Sequence, residues 1–164
     1  GLDVIILNPG VILGPITKNK THIQGSAELY AKVANGLSFY TLGSTGFVTI
    51  TDVIKIADAL MKSEIKNERF TLIAENMVFK DVLESIAKSF KVKKPTLHAT
   101  PFFMEVCWRI DWFLSNFLMQ KRKLTQATAK SSYSKNLYSN EKIKTTLNTD
   151  FKDIKTYIQE ISLL

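Results

Sequence analysis

Four groups of residues in this sequence are of types that do chemistry. Tyr138 and Lys142 stand four apart, which on a helix puts a phenol and an ammonium on one face, the arrangement a proton transfer needs. Asp52 is a carboxylate just behind the strand-like run Phe47-Val48-Thr49-Ile50; it is read here as a helix cap, a role whose removal costs about 1 kcal/mol. Pro9-Gly10-Val11 ends a β-branched run: proline fixes a turn and removes a donor, and glycine lets backbone approach a flat ring closely. The only histidines are His22 and His98 and the only cysteine is Cys107, so no metal-ligand spacing occurs and no intramolecular disulfide can form. A reducing, cytoplasmic setting is the expectation.

These residues need elements to hold them. Leu2-Asp3-Val4-Ile5-Ile6-Leu7 is nearly continuous and β-branched, which predicts a parallel strand buried on both faces. Such a strand needs neighbours, so the chain is expected to be part of something longer. Ser26 is placed to cap a helix over residues 27–35 closed by Gly36, and residues 38–42 read as extended. Gly43-Ser44-Thr45-Gly46 reads as a turn, 47–50 as a strand, and Val53, Ile56, Ala57, Leu60 and Met61 as the apolar face of a helix capped by Asp52.

Residues 69–73 alternate as a strand, Glu75-Asn76 reads as a turn, and Val82, Leu83, Ile86, Ala87 and Phe90 repeat with the period of a helix. An extended stretch over 96–99 leads to Thr100-Pro101, a cap followed by proline at a first helical position, and a long helix to about residue 120. A brief helix near 140–147 and a terminal one from Asp153, with Ile154, Ile158 and Ile161 on one face, complete the chain. Strands alternating with helices predict an α/β fold, and the helix-rich second half predicts a smaller region packed at the end of the sheet.

At 164 residues, with 45% hydrophobic and 23% charged content, the chain can bury a core. No stretch is long and apolar enough to span a bilayer, and the beginning has no secretory pattern. The net charge of +7 is concentrated: residues 121–144 hold seven bases against one acid, and the rest holds fifteen against fourteen. A nucleic-acid-binding surface is therefore not expected, and the basic segment reads as a solvated connection.

Gly1-Leu2-Asp3-Val4-Ile5-Ile6-Leu7-Asn8-Pro9-Gly10-Val11-Ile12-Leu13-Gly14-Pro15 resembles the strand and loop that follow the active-site helix in the extended short-chain dehydrogenase/reductase family, also called the NAD-dependent epimerase/dehydratase family. Gly46-Phe47-Val48-Thr49-Ile50-Thr51-Asp52-Val53 resembles its strand-into-helix motif. Leu124-Thr125, Thr128-Ala129, Tyr138-Ser139-Asn140-Glu141-Lys142-Ile143 and Leu147 are similar to its carboxyl-terminal region, especially in the dihydroflavonol-reductase-like branch.

The resemblance implies an incomplete Rossmann-type parallel sheet with a helix-rich substrate-binding portion, residues 1–164 being the carboxyl-terminal half without the amino-terminal cofactor-binding half. It implies that Pro9, Gly10 and Val11 hold the nicotinamide carboxamide of NAD or NADP, and that Leu13, Gly14 and Pro15 belong to the substrate site. No catalytic residue is assigned within the chain. The family's catalytic tyrosine and lysine precede the Pro-Gly strand, whereas Tyr138 and Lys142 follow it, and no Gly-x-x-Gly-x-x-Gly loop is present to cradle a pyrophosphate. Thr45 stands where sugar-nucleotide members often carry an arginine that pairs a diphosphate, which favours a reductase of a smaller carbonyl or hydroxyl compound over a sugar-nucleotide epimerase or dehydratase.

Residues 101–120 carry twelve apolar side chains around a polar stripe of Glu105, Arg109, Asn116 and Gln120, which predicts burial against the core or in a homodimer interface. Membrane contact is not expected. The rival to an enzyme is a non-catalytic module in which this helix and the basic segment dock on a membrane or a partner.

Overall fold

The computed structural model describes residues 2–15, 25–117 and 125–161. The order is β1 (Ile5–Pro9), β2 (Val11–Leu13), α1 (Ser26–Ala34), β3 (Phe39–Tyr40), β4 (Ser44–Thr49), α2 (Ile50–Met61), β5 (Glu68–Leu72), β6 (Glu75–Val78), α3 (Phe79–Ser89), β7 (Leu97–His98), α4 (Pro101–Phe117), α5 (Gln126–Tyr133), α6 (Glu141–Leu147) and α7 (Ile154–Ile161). It is an α/β fold whose strand pairs are parallel except where β6 runs against β4. One core, around Phe47, Tyr30, Leu83, Ile86 and Ile158, joins β2, β4 and β6 to α1, α3 and α7. A second, of Ile56, Leu60, Phe70, Leu72 and Ile143, joins α2, β5 and α6.

β4 splits the strands beside it. β1 pairs with β5 from Ile5 opposite Glu68 to Pro9 opposite Leu72, and the Gly10 amide still donates to the Leu72 carbonyl at 3.1 Å. Beyond that rung the two part. β2 continues β1 along one side of β4, with Val11 opposite Phe47, and β6 continues β5 along its other side, with Glu75 opposite Phe47.

Two glycines make the split possible. A Cβ on Gly10 would overlap the Gly46 carbonyl oxygen, and one on Gly46 would overlap the Ile73 side chain. Gly46 therefore lies inside β4 and marks a close approach of chains, where the sequence suggested a turn over residues 43–46.

Other local expectations shift for identifiable reasons. α2 begins at Ile50, and Thr49 is its cap: its hydroxyl oxygen accepts from the Asp52 amide at 3.0 Å and its hydroxyl donates to the Asp52 carboxylate at 2.8 Å. Asp52 thus sits in the first turn, where it also accepts from the Lys152 amide at 3.0 Å and ties the chain ahead of α7 to α2. Ser26 is the first residue of α1, and its hydroxyl accepts from the Gly14 amide at 3.1 Å. Glu75 and Asn76 open β6 instead of turning, because Glu75 takes the Ile154 amide and Asn76 clasps the backbone of Tyr138.

Two elements are less buried within this chain than their apolar runs suggest. Ile5 and Leu7 of β1 are half-buried but Ile6 is 42% exposed, because among the described residues β1 has a single strand neighbour and α2 for cover. α4 has no buried residue at all. α5, unpredicted, buries only Ala129, and so polar a helix leaves no periodic apolar signal to find. The terminal helix is as expected, with Ile154, Ile158 and Ile161 buried in the first core.

Candidate functional site

The split leaves a cleft of about 390 Å³ lined by Asn8, Pro9, Gly10 and Val11 from the end of β1, Thr71 and Ile73 from the end of β5, Thr45 from β4, and Tyr138. It lies where two parallel strands end and diverge, the place at which open α/β sheets bind ligands. The floor is backbone: the Pro9-Gly10-Val11 junction, where β1 runs on into β2, is pressed against β4 and β5, so its peptide groups hold fixed directions. Gly10 has to be small, since a Cβ there would overlap the Gly46 carbonyl oxygen of β4 behind it.

The rim is set from far along the chain. Asn76 donates to the Tyr138 carbonyl at 2.8 Å and accepts from the Tyr138 amide at 3.0 Å, while Asn140 donates to the Ile73 carbonyl at 2.7 Å. These three hydrogen bonds hold the segment before α6 over β5 and β6, with Tyr138 45% exposed at the cleft mouth.

Tyr138 and Lys142 do not form a proton-transfer pair. Tyr138 precedes α6, and the Lys142 ammonium binds Glu68 at 2.6 Å and the Arg69 carbonyl at 3.0 Å, above the Phe70 ring. That ammonium, hydrogen-bonded to Glu68, holds its carboxyl below the usual range.

Of the other residues singled out in the sequence, Leu13 is fully buried in the first core and Gly14 is tied to Ser26; neither they nor Pro15 line the cleft. His22 lies outside the described residues, and His98 stacks on Tyr40 at 5.5 Å between ring centres. Among the described residues no group of His, Cys, Asp and Glu could hold a metal ion. Thr71, Ile73 and Tyr138 were not found as partners of Pro9-Gly10-Val11, because nothing in local spacing links them.

A second cleft, of about 420 Å³, has Phe39, Tyr40, Phe79 and Met104 on one side and the hydroxyl-bearing Thr128, Ser131 and Ser132 on another. Its cation, Lys32, is paired with Glu28 at 2.9 Å. Thr41 borders this cleft and Thr45 the first. Four residues of extended chain reach at most about 14 Å, so the backbone positions bordering the two clefts lie within that distance.

The chain matches no family profile and no curated protein sequence. Its fold is shared with solved structures. It superposes on gox2253 with a TM-score of 0.72 at 17% identity, over 96% of this chain and 47% of that one. PA4631, a nucleoside-diphosphate-sugar epimerase from Pseudomonas aeruginosa, gives 0.71 at 16%, over 96% and 46%. The Bordetella bronchiseptica enzyme WbmG, crystallised with NAD and UDP, gives 0.63 at 16%, over 98% and 43%. The chain thus spans a little under half the length of these structures. Its architecture is that of the carboxyl-terminal part of Rossmann-type epimerases.

Proposed function

We propose that this chain is the carboxyl-terminal, substrate-binding half of an NAD(P)-dependent oxidoreductase of the short-chain dehydrogenase type. The observation that carries the proposal is the divergence of β1 and β5 around β4, with a cleft at their carboxyl ends floored by Pro9, Gly10 and Val11. In this proposal the junction's peptide groups hold the nicotinamide carboxamide, Tyr138 borders the ring, and the second cleft takes the substrate. The residues fit that use: the cleft offers peptide groups held by strand pairing with the Thr45 and Thr71 hydroxyls, and no charged side chain. The cofactor would supply the hydride, while this chain orients the ring and walls off solvent. The proton-transfer groups and the pyrophosphate loop belong to the preceding half, so the chain alone turns nothing over.

Neighbours such as WbmG, crystallised with NAD and UDP, support the cofactor and equally raise a sugar-nucleotide substrate. Against the latter, Thr45 offers no fork for a diphosphate, and the second cleft is mostly apolar with its lysine already paired. A small apolar carbonyl or hydroxyl compound fits better. The test is turnover by the protein with its preceding half. Net consumption of NAD(P)H with small carbonyl compounds is the expected result; interconversion of nucleotide sugars without net cofactor use would replace the substrate assignment but keep the cleft. Absence of any NAD(P)H binding would refute both.

A further inference from the structure

Asn76 stands on β6, where its side chain is exposed and where asparagine is a residue type that strands disfavour. Its amide takes both backbone polar groups of one residue far along the chain: it donates to the Tyr138 carbonyl at 2.8 Å and accepts from the Tyr138 amide at 3.0 Å. A side-chain amide used in this way stands in for one rung of a strand partner. The segment it holds reaches Tyr138 from Ser44, whose amide donates to the Ser134 carbonyl at 2.9 Å and whose carbonyl accepts from the Asn136 amide at 3.0 Å. It leaves toward Asn140, which donates to the Ile73 carbonyl. Between those two ties the side chains add little anchorage within this chain, since Leu137 is 79% exposed and Tyr138 nearly half. The clasp therefore decides where the Tyr138 ring stands, and that ring lines the first cleft with Asn8, Gly10 and Thr71.

We propose that Asn76 is a positioning residue of the first cleft: it does not line the cleft itself, and through the backbone of Tyr138 it holds the tyrosine at the mouth. The proposal rests on the reading of that cleft as the nicotinamide site. Water competes for both bonds of an exposed clasp, so its contribution is modest, on the order of a tenfold change in how often the segment is seated. A ligand that needs the tyrosine in place binds only the seated fraction, so its apparent affinity falls with that fraction. Asn140 differs, because it immediately precedes α6, whose Ile143 lies in the second core, and its loss reaches the fold. Asn76 acts on the mouth of the cleft.

The protein with its preceding half is titrated calorimetrically with NAD and with NADP, as the wild type, Asn76→Ala, Asn76→Asp, Tyr138→Ala, and Asn76→Ala combined with Tyr138→Ala. Expected for Asn76→Ala is a roughly tenfold rise in Kd, with a melting temperature within a few degrees of the wild type. Asn76→Asp keeps an acceptor, loses the donor and sets a carboxylate against the Tyr138 carbonyl. Its binding should be weak at about pH 8 and recover as the pH falls toward the carboxylate range, where a protonated carboxyl donates again, whereas Asn76→Ala shows no such recovery. The double variant should bind no more weakly than Tyr138→Ala alone, since the asparagine acts through the tyrosine. A wild type that binds neither cofactor refutes the reading of the cleft and this inference with it. Wild-type binding that Asn76→Ala leaves unchanged overturns the inference alone. So do additive losses in the double variant, an Asn76→Asp profile parallel to that of Asn76→Ala, or a melting temperature lowered by about ten degrees or more in Asn76→Ala, the mark of a residue that holds the fold.

Discussion

α7 and α4 are both amphipathic, and they use their apolar faces in opposite ways. α7 buries Ile154, Tyr157, Ile158 and Ile161 against the core of β4 and α3. α4 is twice as long and richer in aromatic residues, yet buries none of them. The difference lies in what each helix is tied to. α7 is fixed by directed bonds: Asp153 takes the Thr156 amide at 2.7 Å and its hydroxyl at 2.6 Å, Glu75 takes the Ile154 amide, and Asp52 takes the Lys152 amide. α4 is held by the Thr100 hydroxyl at its start, the stacking of Phe103 on Phe39, and its contact with α5. A periodic apolar stripe states which residues share a face; in α7 the directed bonds at its start accompany burial of that face.

The sharpest way to break this comparison is a pair of truncations, Ile158→Ala on α7 and Phe113→Ser on α4. Ile158 is 1% exposed and its loss leaves a cavity, so denaturant unfolding should show about 3 kcal/mol of destabilisation. A cost under about 1 kcal/mol would mean that α7 is not part of the core. Gly10→Ala comes next: its methyl meets the Gly46 carbonyl, and about 2 kcal/mol of overpacking is expected together with weakened cofactor binding.

Asp153→Ala removes the cap of α7 and should cost about 1 kcal/mol. The two Thr156 bonds hold the Asp153 carboxyl below its ordinary range. A lowered folded-state value means that the contribution is present above the ordinary carboxylate range and fades as pH falls through the depressed value. Acid titration of the wild type against Asp153→Ala should therefore show the two stabilities converging at low pH. The smallest effect is that of Phe113→Ser, within about 0.5 kcal/mol, because its side chain is already in water. A loss of several kcal/mol there would place α4 in a core.

Much of the fold was legible where short-range pattern and tertiary role agree. Ile154, Ile158 and Ile161 announced α7, and Phe47 to Thr49 announced β4. The start of α2 was misread because Thr49 and Asp52 are both capping types and bond to each other, and sequence alone does not say which is outside the helix. Gly46 has the look of a turn residue because its use, room for Ile73, comes from the link between β5 and β6, far along the chain. Pro9, Gly10 and Val11 could be picked from their run. Their partners Thr71, Ile73 and Tyr138 could not, since the split around β4 and the Asn76 clasp bring them there.

The central claim is that the junction at Pro9-Gly10-Val11 receives a nicotinamide ring. Amide chemical shifts of the protein with its preceding half, recorded as NAD and then NADP are added, test it most directly. The account predicts saturable shifts at Asn8, Gly10, Val11, Thr45 and Tyr138, with α4 unmoved. Cofactor binding that leaves those five amides unchanged would contradict it.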